Sequence, residues 1–584
     1  MKKYFFLFIV GVFFMGVAIF AETLGLDRNP GGWGRARIAM FIFGTLVVLA
    51  VAAYLVFKEK IDRAAQNIYL LAQSHPLTSW VWKNEFMLRL SRFFRNYSFT
   101  LPVMIFILVL YVWLVSAGTW TEWVSPTRYY ASLAKGFEFG TLSVMMQPDP
   151  RLAELENPYD PVNWRGTIQV PMDISYYQGR FYLYWGPAPA FILYLLHPFY
   201  SGRIGDLYLA FVFICGIFLS QFILIISVWD RFFSGLPRWM LQISLLLAGL
   251  ACPLTFMLAG FKGARIYEAA ISGGQFFLLA GFLVVLTVLN KPGYSSSWRL
   301  LLAGTLWIFS FGSRLTLVFS IAFIVLMVAY WFYRARQPLS MISVKLFLLC
   351  LPLCIGLASI GWYNWARFGS VSESGLYYQL TAGLYLQKYN KEMIDPIYAL
   401  QNIYNYLFYP FDLSSQFPFL SPRYTYSTPI FPFYPLPELY NGQWITGLVW
   451  TVPFAVFAFF PLTRTIRDLS RKRSPGSQPE SDRAELNWFV LTLGGTFLSA
   501  FVFLLIFFWA AMRYLADFTP LLVVLSVIGF WQGYQLLSEK PVLRRFYVTL
   551  GLTAACISMV SSTLLAISVN DAQFLLIRLF PFLG

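Results

Sequence analysis

Two carboxylates between residues 119 and 204 stand in settings that suit proton chemistry. Asp173 opens the run from Asp173 to Ala190, in which it keeps company with Tyr176, Tyr177, Tyr182, Tyr184 and Trp185. Aromatic rings strip water from a carboxylate, raise its basicity and suit it to take a proton from a hydroxyl. Asp160 lies in Asn157-Pro158-Tyr159-Asp160-Pro161, a turn rigid enough to point a carboxylate in one direction. Five further acids share this stretch: Glu122, Glu138, Asp149, Glu154 and Glu156. On residues alone, Asp173 serves equally as a base or as a turn cap beside aromatics anchored at a membrane interface.

Cations at the ends of apolar runs form a second group. Arg265 precedes Tyr267 and Glu268, Arg314 closes Gly312-Ser313-Arg314, Arg367 follows an apolar run, and Arg513 precedes Tyr514. A charge at membrane depth is costly and is usually paired or functional. Several arginines reaching one cavity suit a lipid phosphate or diphosphate, which guanidinium grips bidentately. Taken singly, each also suits a headgroup anchor. Arg314 stands apart, midway through a long apolar run with no acid nearby in sequence.

The elements that must hold these groups are apolar helices. Of 584 residues, 58% are hydrophobic and 12% charged, against about 25% charged in a soluble domain. Stretches of about 20 apolar residues, enough to span a bilayer as helix, recur along the chain. The expected fold is all-α and polytopic, with about 13 transmembrane helices. The spans are 4–21, 37–57, 100–118, 205–228, 238–258, 269–289, 299–313, 315–333, 346–365, 443–462, 487–509, 517–535 and 546–568. The first is expected to be retained rather than cleaved. Residues 187–200 are too short to span and are placed as an interfacial helix on the outer face.

The net charge of +16 arises from basic loops, notably 58–98, Arg464–Arg473 and Lys540 to Arg545. Placing them inside puts the N-terminus in the cytoplasm and the C-terminus outside a bacterial-type plasma membrane. That distribution excludes a nucleic-acid partner in favour of the bilayer. Two large loops, 119–204 and 366–442, then face outwards, both too rich in aromatics to be disordered. The organisation is 1–99, two helices and a basic cytoplasmic segment; 100–535, a central membrane module; and 536–584, a last helix and tail. The five cysteines lie in apolar runs and there are two histidines, so a zinc site or His-based nucleophile is excluded.

An apolar first helix and two long outer loops, the first rich in acids, together resemble the GT-C glycosyltransferases. The run Arg128-Tyr129-Tyr130-Ala131-Ser132-Leu133-Ala134-Lys135-Gly136 is similar to the first-loop helix of that class. Further similar segments are Asp173 to Ala190, Tyr267-Glu268-Ala269-Ala270, Gly312-Ser313-Arg314, Tyr363 to Ser370, and Arg513-Tyr514-Leu515-Ala516-Asp517. The resemblance covers about residues 100 to 535. Members of the class place a catalytic Asp a few residues before the paired tyrosines. Here Thr121-Glu122-Trp123-Val124-Ser125-Pro126-Thr127 holds none, which leaves Glu122, or Asp160 or Asp173 folding back, to take its place, or else a degenerate, non-catalytic member.

The resemblance implies transfer, with inversion, of one sugar from a polyprenyl-phosphate-linked donor to an extracytoplasmic glycan, lipid or protein. In that scheme Asp173, Asp160 or Glu122 deprotonates the acceptor, while Arg314, Arg513, Arg367 and Arg265 hold the donor phosphate. Tyr129, Tyr130, Tyr182, Tyr184, Trp185, Tyr267, Glu268 and Tyr514 line the substrates. Some members use a divalent cation; the sequence shows no cluster of ligands for one. Two other classes fit the same architecture. A lipid-linked glycan flippase needs ionisable groups near mid-bilayer, which are scarce here. A non-catalytic envelope-assembly subunit would tolerate loss of all three acids.

Overall fold

The computed structural model describes residues 96–569, apart from 119, 121–122, 124, 200–203, 252, 260–264, 290–296, 382, 416–417, 426–433 and 471–480. It also describes 8, 11–12, 14–16, 18–19, 33, 37–49, 51–52 and 54. Two compact units result, residues 1–106 with 573–584, and residues 107–572. In the first, Arg37–Leu49 is an apolar helix, and the Arg37 guanidinium donates to the carbonyls of Ala18 and Ile19 at 3.0 and 3.2 Å. That helix falls within the expected span 37–57, whereas more than half of the expected span 4–21 lies outside the described residues.

Nine helices among the described residues are long and apolar enough to cross a membrane, and the chain is a multi-pass membrane protein. They are Ser98–Val115, Asp206–Phe233, Arg238–Leu258, Ile266–Leu289, Leu315–Arg334, Leu339–Phe368, Asp482–Leu505, Thr519–Leu536 and Pro541–Val569. Each overlaps an expected span, with ends that differ by at most seven residues, the largest difference being the start of Leu339–Phe368 against 346–365. Leu339–Phe368 shows why lipid must be the solvent. Val344, Phe347, Ile355, Leu357 and Trp362 all face outwards along it, an apolar stripe that water would not tolerate.

Of the two remaining expected spans, 299–313 is met and 443–462 takes another form. Trp298–Ser313 is helical but only 16 residues long, and it ends where Arg314 adopts extended backbone (φ −141°, ψ 99°). The span expected at 443–462 is broken into Leu448–Thr451, Pro453–Ala458 and Phe459–Ser470. Pro453 lacks an N–H and forces Val452 out of helical geometry (φ −137°, ψ 62°). Ala188–Phe199 is apolar but short, below the roughly 20 residues needed to cross.

Both long loops are folded, and they are tied to each other and to the helices. In the first, β1 (Ile174–Tyr177) pairs antiparallel with β2 (Arg180–Tyr182), and with β3 (Gln379–Leu380) of the second loop. Another small sheet joins β7 (Trp444–Ile445), just past residue 442, to β4 (Phe411–Leu413) and β5 (Leu420–Tyr424) of the second loop. That loop's β6 (Asn441–Gly442) pairs in parallel with β8 (Trp509–Ala510), just beyond the helix Ser481–Leu505. Buried Asn402 closes that helix, its amide donating to the carbonyls of Leu504, Leu505 and Phe507 at 3.1, 3.0 and 2.8 Å. These carbonyls have no intrahelical partner, so the loop supplies one.

The first loop also lies against the helix Trp298–Ser313. A Cβ on Gly186 would stand 2.0 Å from the carbonyl oxygen of Gly312, so only glycine permits this approach. Gly186→Ala is expected to destabilise the protein by about 1–3 kcal/mol, read as a lower midpoint of thermal unfolding in detergent.

Candidate active site

The two loops and the adjoining helix ends enclose a cavity of about 520 Å³. Asp173, Tyr184 and Trp185 come to it from the first loop, and Gln379, Asn441 and Gln443 from the second. Tyr267, Arg314, Arg513 and Tyr514 reach it from the ends of helices. Another part of the lining is apolar, built from Leu384, Leu386, Ile394, Phe503 and Phe507. A charged region beside an apolar region is what a phosphate carried on a lipid chain needs.

Asp173 sits immediately before β1 with φ +54°, a conformation that Asp tolerates better than most residues but that remains strained. Gln379 on the neighbouring β3 hydrogen-bonds its carboxylate. Burial raises the Asp173 pKa from 3.8 to about 6, against the opposing influence of the Arg513 charge and the Gln379 hydrogen bond. Loss of hydration dominates because charge is poorly solvated in an enclosed site. Such a carboxylate is ionised at neutral pH yet holds a proton more tightly than one in water.

The four arginines separate by their partners. Arg314 donates through Nε and Nη2 to one carboxylate oxygen of Asp517, at 3.1 and 2.8 Å, and lies 4.9 Å from the Tyr514 ring centre. Arg513 donates through Nη1 to the side-chain oxygen of Gln443, lies 4.3 Å from the centre of the Tyr267 ring, and keeps a buried Nε with no hydrogen-bond partner among the described residues. Its bonded partner is neutral, so its charge remains available to a ligand. Arg367 is consumed by structure: its guanidinium donates to Leu183 O, Asn364 Oδ1, Tyr363 O and Ser374 O. Arg265 lies 3.7 Å from Glu268, away from the cavity lining.

The remaining candidates divide in the same way. Tyr184 and Trp185 stack at 4.0 Å, and Tyr267 meets Trp185 edge-on at 5.3 Å. Together they make an aromatic wall. Tyr129 and Tyr130 are buried behind that wall, Tyr182 packs on Phe368 at 5.3 Å, and Glu268 faces Arg265; none of these lines the cavity. Asp160 accepts from the N–H of Val162 at 3.0 Å and caps a short turn, and it is not part of the lining. Glu122 lies outside the described residues. Reasoning from sequence assigned no role to Asp517, Gln379, Asn441, Gln443 or Asp206. Asp517 alone carried a signal, since an arginine at membrane depth demands a carboxylate somewhere.

Among the described residues the lining offers a divalent cation one carboxylate, Asp173, beside two guanidinium groups. Hard cations gather several oxygen ligands, usually with more than one carboxylate. A divalent cation does not fit this donor set.

No protein-family model and no curated protein matches the chain. Among solved structures it is similar to an archaeal membrane oligosaccharyltransferase. The Archaeoglobus fulgidus enzyme in its apo form aligns with a TM-score of 0.42 at 12% identity, covering 82% of this chain. The same enzyme tethered to an acceptor peptide aligns at 0.41 and 13% identity. As AglB, in complex with an inhibitory peptide and a dolichol-phosphate, it aligns at 0.41 and 12%. The chain spans 56% of the length of the enzyme it matches.

The Arg314–Asp517 pair is nearly dry, with Asp517 side-chain exposure of 1%. Removing one partner strands a buried charge, so Arg314→Ala and Asp517→Ala are each expected to cost about 3–5 kcal/mol. The double variant Arg314→Ala with Asp517→Ala is expected to cost much less than the sum. Thermal unfolding of the four proteins measures this coupling.

Proposed function

We propose that this chain is a membrane glycosyltransferase that moves a sugar from a polyprenyl-phosphate-linked donor to the hydroxyl of an acceptor outside the cytoplasm. The observation that carries this reading is the meeting of Asp173, Arg513, an aromatic wall and an apolar wall around one cavity. The Asp173 carboxylate takes the proton of the acceptor hydroxyl as its oxygen attacks the anomeric carbon. The bond from that carbon to the phosphate oxygen breaks, and the electron pair leaves with the phosphate. A single displacement inverts the anomeric centre. Arg513, which forms no ion pair among the described residues, offsets the charge developing on the phosphate. Arg314 contributes less, because Asp517 already balances it. Tyr184, Trp185 and Tyr267 offer faces on which a sugar ring stacks, and Phe503, Phe507 and Leu386 receive the first units of the lipid chain.

Mass spectrometry of the lipids that co-purify with the protein tests the donor. Wild type is expected to retain a polyprenyl phosphate or its glycosylated form, and Arg513→Ala to lose at least about tenfold of it, one lost charge-assisted contact. Bulk phospholipid alone in the wild-type sample would overturn the reading.

Initial rates of transfer from that donor test the base. Asp173→Asn is expected to slow transfer by about 10²-fold or more. The wild-type rate should rise with pH as Asp173 loses its proton, half-maximal near the value of about 6. A rate unchanged between about pH 5 and pH 8 would remove Asp173 from the mechanism.

A further inference from the structure

Asp206 is fully buried at the start of the helix Asp206–Val228, and the reaction above makes no use of it. Its carboxylate accepts the backbone N–H groups of Tyr129 and Tyr130 at 3.0 and 3.1 Å, and the Thr127 hydroxyl. These are the first residues of the helix Tyr129–Glu138, whose leading N–H groups have no partner within the helix. Asp206 therefore anchors that helix end to the membrane body.

Tyr129 carries the anchorage further. Its phenol donates to the carbonyl oxygen of Met172 at 3.1 Å, while its ring packs beside Trp185 with 6.3 Å between centroids. That carbonyl belongs to the peptide joining residues 172 and 173. Turning this peptide plane is rotation about the N–Cα bond of Asp173, so the phenol holds the angle φ of that residue. On the other side the chain is held by pairing of Ile174 with Leu380 and Ser175 with Gln379. The Ser175 hydroxyl adds a bond to Gly375 O at 2.8 Å. Asp173, at φ +54°, is thus strained backbone between two clamps. Strain of this kind persists only where its surroundings over-determine it.

We infer that Tyr129, itself set by Asp206, is a positioning residue that holds Asp173 in its left-handed conformation and so keeps its carboxylate in the cavity. The inference rests on Asp173 being the base proposed above. Tyr129 is 6% exposed and absent from the cavity lining, so it acts through the Met172 peptide and not by touching substrate. Released from the clamp, Asp173 relaxes to ordinary φ and its carboxylate swings towards water.

The charged and titratable groups that act on or are acted on by Asp173 are Arg513, Tyr184 and Tyr129. Because its pKa is raised on folding, the folded protein loses stability as pH climbs from 3.8 towards about 6, and the whole deficit persists above that. Asp173→Asn cannot titrate and tolerates positive φ. Its gain in unfolding midpoint over wild type is therefore expected to grow with pH and level off near 6. In a Tyr129→Phe background the same gain should level off at least about one pH unit lower, a tenfold change in proton affinity. Tyr130→Phe, which removes a buried hydroxyl without a partner, should leave the levelling-off point unchanged. Asp206→Asn provides a second disruption, with a smaller shift in the same direction.

The comparison within each background cancels any general loss of stability. An identical levelling-off point in the wild-type, Tyr129→Phe and Asp206→Asn backgrounds would overturn the inference. The readout requires no sugar or lipid. Failure of the clamp is thereby separated from failure of the transferase reading, which the co-purified lipids decide.

Discussion

The structure around the cavity depends on one buried ion pair. Arg314 and Asp517 are separated by 203 residues, and neither can stay charged at that depth alone. Satisfying the pair forces Arg314 out of helical geometry and so divides a long apolar run in two. Neighbouring backbone is held with it. Gln275 donates to the carbonyl of Asp517, and the Ser310 hydroxyl donates to the carbonyl of Gly274 at 2.7 Å. A Cβ on Gly274 would come 2.6 Å from the Cβ of Arg314, so the missing side chain lets the helix Ile266–Leu289 close on the pair. The ends of three helices are thereby brought to one place.

That arrangement also allots the charges. Asp517 neutralises Arg314, whereas the bonded partner of Arg513 is the neutral amide of Gln443. The cavity keeps one guanidinium with charge to offer and one carboxylate of raised basicity. Both properties come from exclusion of water by the loops, which strengthens every electrostatic interaction inside. Burying Asp173 works against stability, as does its positive φ, and the cross-loop pairing of β1 with β3 and of β6 with β8 offsets this. In the proposed reaction such strain has a use, since a relaxed, hydrated carboxylate would be a weaker base.

Legibility in the sequence followed the range of the interactions. Apolar runs bounded by Pro, Gly and charge placed nine helices with ends at most seven residues away, because a helix closes its own hydrogen bonds locally. The failure at 443–462 was also local: Pro453 lay in plain view, but overall hydropathy outweighed it. The loops were recognisable as folded from their aromatics, while their strands, two to five residues long, leave no periodicity to read. Among the cations, Arg314 and Arg513 were distinguished from Arg367 only by partners far away in the chain. Asp160 and Asp173 looked equivalent until the structure gave one a turn to cap and the other a cavity to face.

By itself the sequence determined the solvent of this protein, the position of most of its helices, the existence of two folded loops, and the residue types from which a site could be drawn. These follow from composition and from contacts a few residues apart. Tertiary structure alone decided which carboxylate is desolvated, which arginine keeps its charge, and that Asp206, Tyr129 and Asp173 form one chain of support. Those properties depend on distances between segments up to about 200 residues apart and on how much water lies between them. Nothing in a linear pattern encodes either quantity.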